Sequence, residues 1–240
     1  MSTFMSVFAD LVEWLADLLQ PLFHTSATAA AIVLFTALVR LLVHPLSRAA
    51  ARGQQARARL QPEIAELRRK HAKNPERLQR AVLELHARER VTPFAGLLPS
   101  LLQVPAFFLL YHLFSSTTIG GEGNDLLTHT LFAAPLGDRW ADALGHGGLL
   151  GSAGLVYLGL FAFVAAVAAF TFRRARRTTA ESVARAGEGE QVPGLGAVAK
   201  VMPFLSFLTL VTVAVVPLAA ALYMVTSTTW SAVERAVLHR

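Results

Sequence analysis

Ala27-Thr28-Ala29-Ala30-Ala31-Ile32-Val33-Leu34-Phe35-Thr36-Ala37-Leu38-Val39-Arg40-Leu41-Leu42-Val43-His44-Pro45-Leu46 is an apolar run long enough to cross a bilayer, with one arginine inside it. A guanidinium at the centre of such a segment costs about 2.5 to 3.5 kcal/mol on insertion scales, and arginine cannot escape by losing its proton. Two arrangements offset that cost. Either Arg40 reaches the headgroups, since it lies about 12 Å from Arg48 along a helix, or it faces water inside the protein, which would make it a functional residue.

Composition points to a membrane protein independently of that segment. Hydrophobic residues make up 54% of the chain and charged residues 16%, whereas soluble domains carry about a quarter charged residues. The charges fall in blocks between long neutral runs, as in a chain that alternates between lipid and water. There is no cysteine, so no disulfide framework, thiolate metal site or lipoprotein anchor is expected. Residues 1–24 contain no Lys or Arg, which fits neither a secretory signal with a basic start nor an Arg-rich transit peptide. A bacterial plasma membrane is the simplest location.

The chain opens with an amphipathic segment, residues 1–24. Phe4, Phe8, Leu11, Leu15, Leu18 and Leu22 recur at helical spacing, while Asp10, Glu13 and Asp17 occupy another face. Such a helix lies in the membrane interface, with Trp14 at headgroup depth and Pro21 ending it, or else packs on protein. Spanning helices are expected at 25–46, 94–115, 149–172, 197–213 and 215–234. The last two come from one apolar stretch, 197–233, which as a straight helix would run about 55 Å against a hydrocarbon core of about 30 Å. Pro217 marks a fold-back near 214–218, although a tilted, protruding helix would also accommodate the length.

Loop charge sets the orientation. Residues 47–93 carry twelve Lys or Arg, so that connection is cytoplasmic. Residues 116–148 carry Arg139 against Glu122, Asp125, Asp138 and Asp142 and are external. Arg173, Arg174, Arg176 and Arg177 open a cytoplasmic loop at 173–196, and a short tail, 235–240, is also cytoplasmic. The N-terminus is then outside and the C-terminus inside.

The basic loop has helical character of its own. Asn74-Pro75-Glu76 reads as N-cap, first-turn proline and acidic first turn. Leu60, Ile64 and Leu67 repeat on one arm and Leu78, Val82 and Leu85 on the other, so a narrow apolar seam can zip a helical hairpin. Its surface bears Arg57, Arg59, Arg68, Arg69, Lys70, Lys73, Arg77 and Arg80. That charge either fixes topology and touches anionic lipid or docks a substrate or partner.

Enzymatic signatures are missing: the sequence holds no HExxH, GxSxG, P-loop or Ser-Lys arrangement in its apolar segments, so no catalytic residue, metal or cofactor is implied. His44 and His112 read as snorkelling or helix-bonded residues. Gly120-Gly121-Glu122-Gly123 and Gly145 to Gly148 do not open a helix after a strand, against phosphate binding. The basic cluster at Arg173 to Arg177 lacks interleaved aromatics and reads as a membrane-edge anchor, not as specific nucleic-acid recognition. Within the spans, Thr36 lies one turn before Arg40, Gln103 stands between Pro99 and Pro105, and Ser206, Thr209 and Thr212 recur every three residues. Interhelical hydrogen bonding explains isolated Ser and Thr.

The ordered set Leu38-Val39-Arg40-Leu41-Leu42-Val43-His44-Pro45-Leu46-Ser47, Leu60-Gln61-Pro62-Glu63-Ile64 and Asn74-Pro75-Glu76-Arg77-Leu78-Gln79 resembles the YidC/Oxa/Alb family of membrane protein insertases. Thr92-Pro93-Phe94-Ala95-Gly96-Leu97-Leu98-Pro99, Leu102-Gln103-Val104-Pro105-Ala106-Phe107-Phe108, Met202-Pro203 and Pro217-Leu218-Ala219-Ala220-Ala221-Leu222-Tyr223 continue that resemblance in order over nearly the whole chain. It implies an all-α membrane protein of five transmembrane helices around a groove open to the cytoplasm and the lipid, with an interfacial amphipathic helix and a cytoplasmic coiled-coil hairpin. Arg40 would hydrate the groove and attract acidic residues in a substrate's tail, and Thr36, Gln103, Ser206, Thr209 and Tyr223 would line it. The implied partners are nascent membrane proteins, the Sec translocon, the ribosome and anionic lipids.

The sequence departs from the family pattern at Met224 and Thr226-Ser227-Thr228, where an aromatic residue and a Ser-Asn pair are usual, and at Ala219 and Ala220, where glycine commonly follows the proline. The short end after the last span and the lack of a large external domain resemble the compact, Gram-positive type. A solute transporter or channel subunit would be expected to carry acidic coupling residues or an inverted repeat within its spans, and the clear spans contain no Asp or Glu. A non-inserting assembly scaffold acting through the hairpin is the third reading.

Overall fold

A computed structural model of the chain describes residues 2–89, 97–119, 121–145, 147–186 and 202–238. The chain divides into two compact units, Met1–Leu38 with Leu109–Glu234, and Val39–Phe108 with Arg235–Arg240. The described residues are mostly helical. Two helical stretches among them, Met5–Lys70 and Ser152–Arg177, are long and apolar enough to cross a membrane, and Phe204–Val215 is a shorter apolar helix. The expected features at 90–96, 187–201 and 239–240 lie outside the described residues, as does the side chain of Gln103.

In the first unit, α1 (Ser2–Phe23) buries Met5, Ala9, Val12, Leu15 and Ala16, while Trp14, Leu18 and Leu22 stay exposed. Its Phe8 ring meets Phe35 edge-on, with centroids 5.9 Å apart. Pro21 does not end α1 as the sequence suggested. Proline removes one i→i−4 bond and leaves the following residues free to stay helical, so the helix runs to Phe23 and changes character only at His24, which adopts φ +49. A 3-10 turn, His24–Ser26, leads into α2 (Ala27–Lys70).

At 44 residues α2 is about twice the ~20 that a span requires, so the spanning segment continues without a break through Pro45 and Pro62 into the first arm of the hairpin. In the second unit that arm packs against α3 (Pro75–Arg88). Leu60, Ile64 and Leu85 are buried together, with Leu67 and Val82 packed against them. Asn74 caps α3, its Oδ1 accepting the Arg77 N–H at 3.0 Å, and Pro75 occupies the first turn. The helix α4 (Leu97–Ser115) then passes through Pro105.

The segment after α4, expected to be external, is an organised loop. It contains antiparallel pairs of β1 (Thr118–Ile119) with β2 (Glu122–Gly123) and of β3 (Thr130–Leu131) with β4 (Ala134–Pro135), a 3-10 turn at Asp125–Leu127, and α5 (Trp140–Gly145). Leu126, Ala134, Leu136 and Ala143 are buried in it. The long α6 (Ser152–Ala186) follows and carries Arg173 to Arg177 on its continuing helix. Phe172 of α6 meets Phe204 and Phe207 at 5.0 and 5.6 Å, which docks the 3-10 segment Met202–Phe207 and the adjoining α7 (Leu208–Val215) on α6. The apolar stretch breaks at Val216 and Pro217, where Val216 is extended as a residue before proline prefers. The last helix, α8 (Leu218–Leu238), starts immediately after.

Candidate functional site

Arg40 sits half-buried in α2, one helical turn after Thr36 and followed by the exposed Leu41 and Leu42. Thr36 has no exposed surface, and its hydroxyl donates to the Ile32 carbonyl at 2.7 Å, so its polarity is met within its own helix. Ser206 and Thr209 are half-buried, and the Thr209 hydroxyl donates to the Ser206 carbonyl at 3.2 Å. Tyr223 is buried beside Phe114, ring centroids 5.9 Å apart. Thr36, Ser206, Thr209 and Tyr223 belong to the first unit, and Arg40 and Gln103 to the second.

The hairpin presents its basic residues outward. Arg59, Arg68, Arg69, Lys70, Lys73, Arg77 and Arg80 are exposed, and Arg57 is half-buried. The seam that holds the arms together takes up the apolar residues, which leaves the polar surface to these cations. His86 is the polar exception in the packed layer. Its Nδ1–H donates to the Val82 carbonyl at 2.7 Å.

The sequence reading missed a set of residues around the loop after α4 in the first unit. A helix terminus leaves orphan backbone groups that must find partners when buried. Leu218, Ala219, Ala220 and Ala221 at the start of α8 have no exposed surface, and the loop after α4 supplies acceptors for the first two. The Leu218 N–H donates to the Asp138 carbonyl and the Ala219 N–H to the Leu136 carbonyl, both at 2.9 Å. The Asp138 carbonyl also accepts the Tyr157 hydroxyl of α6 at 2.6 Å. At the end of α4, the Asn124 side-chain NH₂ donates to the carbonyls of Leu113 and Ser116 at 2.8 and 2.9 Å. Ser26, before α2, accepts the Phe132 N–H on its hydroxyl oxygen at 3.0 Å. The loop thus closes the start of α8 and the end of α4 through their backbone groups and is tied to α6 by Tyr157 and to the 3-10 turn by Ser26, while Trp140 packs on Tyr157 and Phe161 at 5.5 and 5.1 Å. Ala219 and Ala220 fill space in this layer with their methyl groups, where the family pattern has glycine.

Known proteins are similar to this chain in sequence. Residues 19–240 match the family described as 60Kd inner membrane protein. The chain is 42% identical over 110 residues to the membrane protein insertase YidC of Clostridium perfringens, covering 46% of this chain and 43% of that protein. It is 33% identical over 106 residues to the membrane protein insertase YidC of Geobacter sulfurreducens, covering 41% of this chain and 20% of the relative. The corresponding protein of Alkalilimnicola ehrlichii is 33% identical over 108 residues, covering 45% of this chain and 19% of the relative. The match therefore spans less than half the length of each of these relatives. With the family match running from near the first spanning segment to the last residue, the chain belongs to the 60Kd inner membrane protein family, the YidC/Oxa/Alb group that its motifs resemble.

Proposed function

We propose that the protein is a membrane protein insertase that moves hydrophobic segments with short polar tails from the cytoplasm into the plasma membrane, without a nucleotide. The observation that carries this reading is a half-buried arginine in the apolar segment 27–46 of α2, in a chain whose relatives are named membrane protein insertase. A fixed positive charge at that depth is costly unless it is hydrated or meets a negative partner. An insertase supplies both, as a wet recess and an acidic tail in transit.

In this reading five spans enclose a groove open to the cytoplasm, with the N-terminus outside and the C-terminus inside. Arg40 carries the groove's charge, and the assignment of Thr36, Gln103, Ser206, Thr209 and Tyr223 to it is part of the same proposal. The recess shortens the hydrophobic distance that a polar tail must cross. Burial of the apolar segment in lipid, at about 25 cal/mol per Å², drives completion. The membrane potential assists acidic tails by about 2.3 kcal/mol per charge per 100 mV. The exposed cations of the hairpin receive substrate, ribosome or Sec translocon and touch anionic lipid, each basic residue near the surface contributing about 1 kcal/mol.

The test is depletion of the protein in cells lacking other insertases, followed by scoring the insertion of a short-tailed, acidic substrate. The reading requires the tail to remain on the cytoplasmic side, and normal insertion sinks it. Crosslinking separates insertion from scaffolding: capture of nascent substrate by a probe at position 36 supports insertion, and contacts confined to 52–90 favour a scaffold.

A further inference from the structure

An apolar groove of about 530 Å³ lies against one face of α2 in the first unit, lined by none of the residues assigned to insertion. Ala29, Ala30 and Ala37 share that face and give the groove its depth, because their side chains are small. The larger side chains of Leu19 and Phe23 from α1, and of Leu131 and Phe132 from the loop after α4, line it from two other segments. Ser26 is the single hydroxyl among the lining residues, and its oxygen already accepts the Phe132 N–H at 3.0 Å. Phe132 is 74% exposed and holds φ +52, a region that costs a non-glycine residue energy and that turns ordinarily give to glycine or asparagine. The Ser26 bond therefore helps to keep a large apolar ring at the groove in a conformation that the backbone resists. On the α1 side Leu22 and Phe23 are exposed as well.

The chemistry of the groove and its edge selects the occupant. A protein partner is ordinarily met by an apolar centre with a polar rim that supplies hydrogen bonds. Here the residues at the edge are as apolar as the interior, and the one hydroxyl is engaged. A peptide backbone seated there would lose its hydrogen bonds to water without replacement, whereas hydrocarbon has none to lose. Length agrees: Ala29 to Ala37 cover about 12 Å of helix axis, against about 15 Å of hydrocarbon in one leaflet of a ~30 Å core. The groove also lies on a helical stretch, Met5–Lys70, that is long and apolar enough to cross a membrane. We propose that it seats one acyl chain of a phospholipid from the leaflet on the α1 side, and holds that chain longer than lipid elsewhere on the protein's surface. A chain in a recess meets side chains from several directions, while one lying on a convex helix meets them from one. The proposal needs α2 to stand in the bilayer and does not depend on insertion.

The experiment reads lipid contact directly. The full chain is held in nanodiscs of phosphatidylcholine doped with a phosphatidylcholine that carries a diazirine on one acyl chain, illuminated, digested and mapped by mass spectrometry. Adducts at positions 29–37 and 131–132 should exceed by about fivefold those at Leu155 and Leu158, which are exposed near the start of α6 and report ordinary lipid contact. Ala30→Phe, which fills the groove with a ring, should bring its labelling down to the α6 level and leave α6 unchanged. Ala37→Phe fills the same groove from another position and is read in the same way, so a loss of thermal stability in one variant leaves the other to decide. A benzophenone side chain placed at position 33, which also lines the groove, identifies the occupant. Lipid adducts there support the proposal, and a covalent dimer or a crosslink to the chain's own residues in their place overturns it. Labelling of the groove no greater than that of α6 also overturns it, as does labelling that neither phenylalanine variant diminishes.

Discussion

Arg40 and Tyr157 illustrate how a single side chain can matter through its charge or through its hydrogen bond. For Arg40 the charge is the argument, so Arg40→Lys should retain substrate insertion close to the parent rate. Arg40→Ala should lose about tenfold, equivalent to ~1.4 kcal/mol in the barrier. Initial rates of tail protection in reconstituted vesicles check this, and equal activity in both variants would reduce the arginine to a hydrating accessory. For Tyr157 the hydroxyl is the argument. Tyr157→Phe removes a donor from the Asp138 carbonyl, yet that carbonyl keeps the Leu218 N–H, so no buried acceptor is left empty. The cost should fall near the low end of about 0.5–1.5 kcal/mol, measured as a small drop in the thermal midpoint in detergent. Arg40 was visible in the sequence because its desolvation cost is intrinsic to the residue. The burial of Thr36 and Tyr223 was not, since a polar residue in a span looks the same whether it lines water or bonds its own helix.

Among the elements, the hairpin depends on a short seam and one cap. Leu85→Ala should destabilise the docking of α3 by about 2–5 kcal/mol, and Asn74→Ala by about 1 kcal/mol. Amide exchange should rise across Pro75–Arg88 in both variants, while the external loop stays protected, because the two belong to separate units. Unchanged exchange in Leu85→Ala would mean that the seam contributes little. This element was legible because heptad spacing and the Asn-Pro-Glu start are local signals. Two other elements were not. Pro21 suggests a break, yet α1 passes through it, as α2 does through Pro45 and Pro62 and α4 through Pro105, since a proline removes one donor and neighbouring packing decides whether the helix ends. The external loop shows little periodicity, and its organisation rests on bonds between distant positions, such as Ser26 with Phe132 and Asp138 with Leu218.

For the molecule as a whole, the proposed function draws on an ordered loop after α4 in one unit and on a half-buried arginine in the other. In the first unit the start of α8 is buried and bonded to the loop after α4, and in the second the cations of the hairpin are exposed. Family membership was legible from the order of short motifs, because that order is far more specific than any one of them. The external cap was not, because its donors and acceptors are largely backbone groups that every sequence possesses. The most direct measurement is insertion of a single-span substrate with a short acidic tail into vesicles containing only the purified protein and lipid, with a membrane potential imposed and no nucleotide. The account predicts that the tail becomes protease-protected inside the vesicles, faster with the potential than without it and in proportion to the protein reconstituted. Protection no greater than in protein-free vesicles would contradict it.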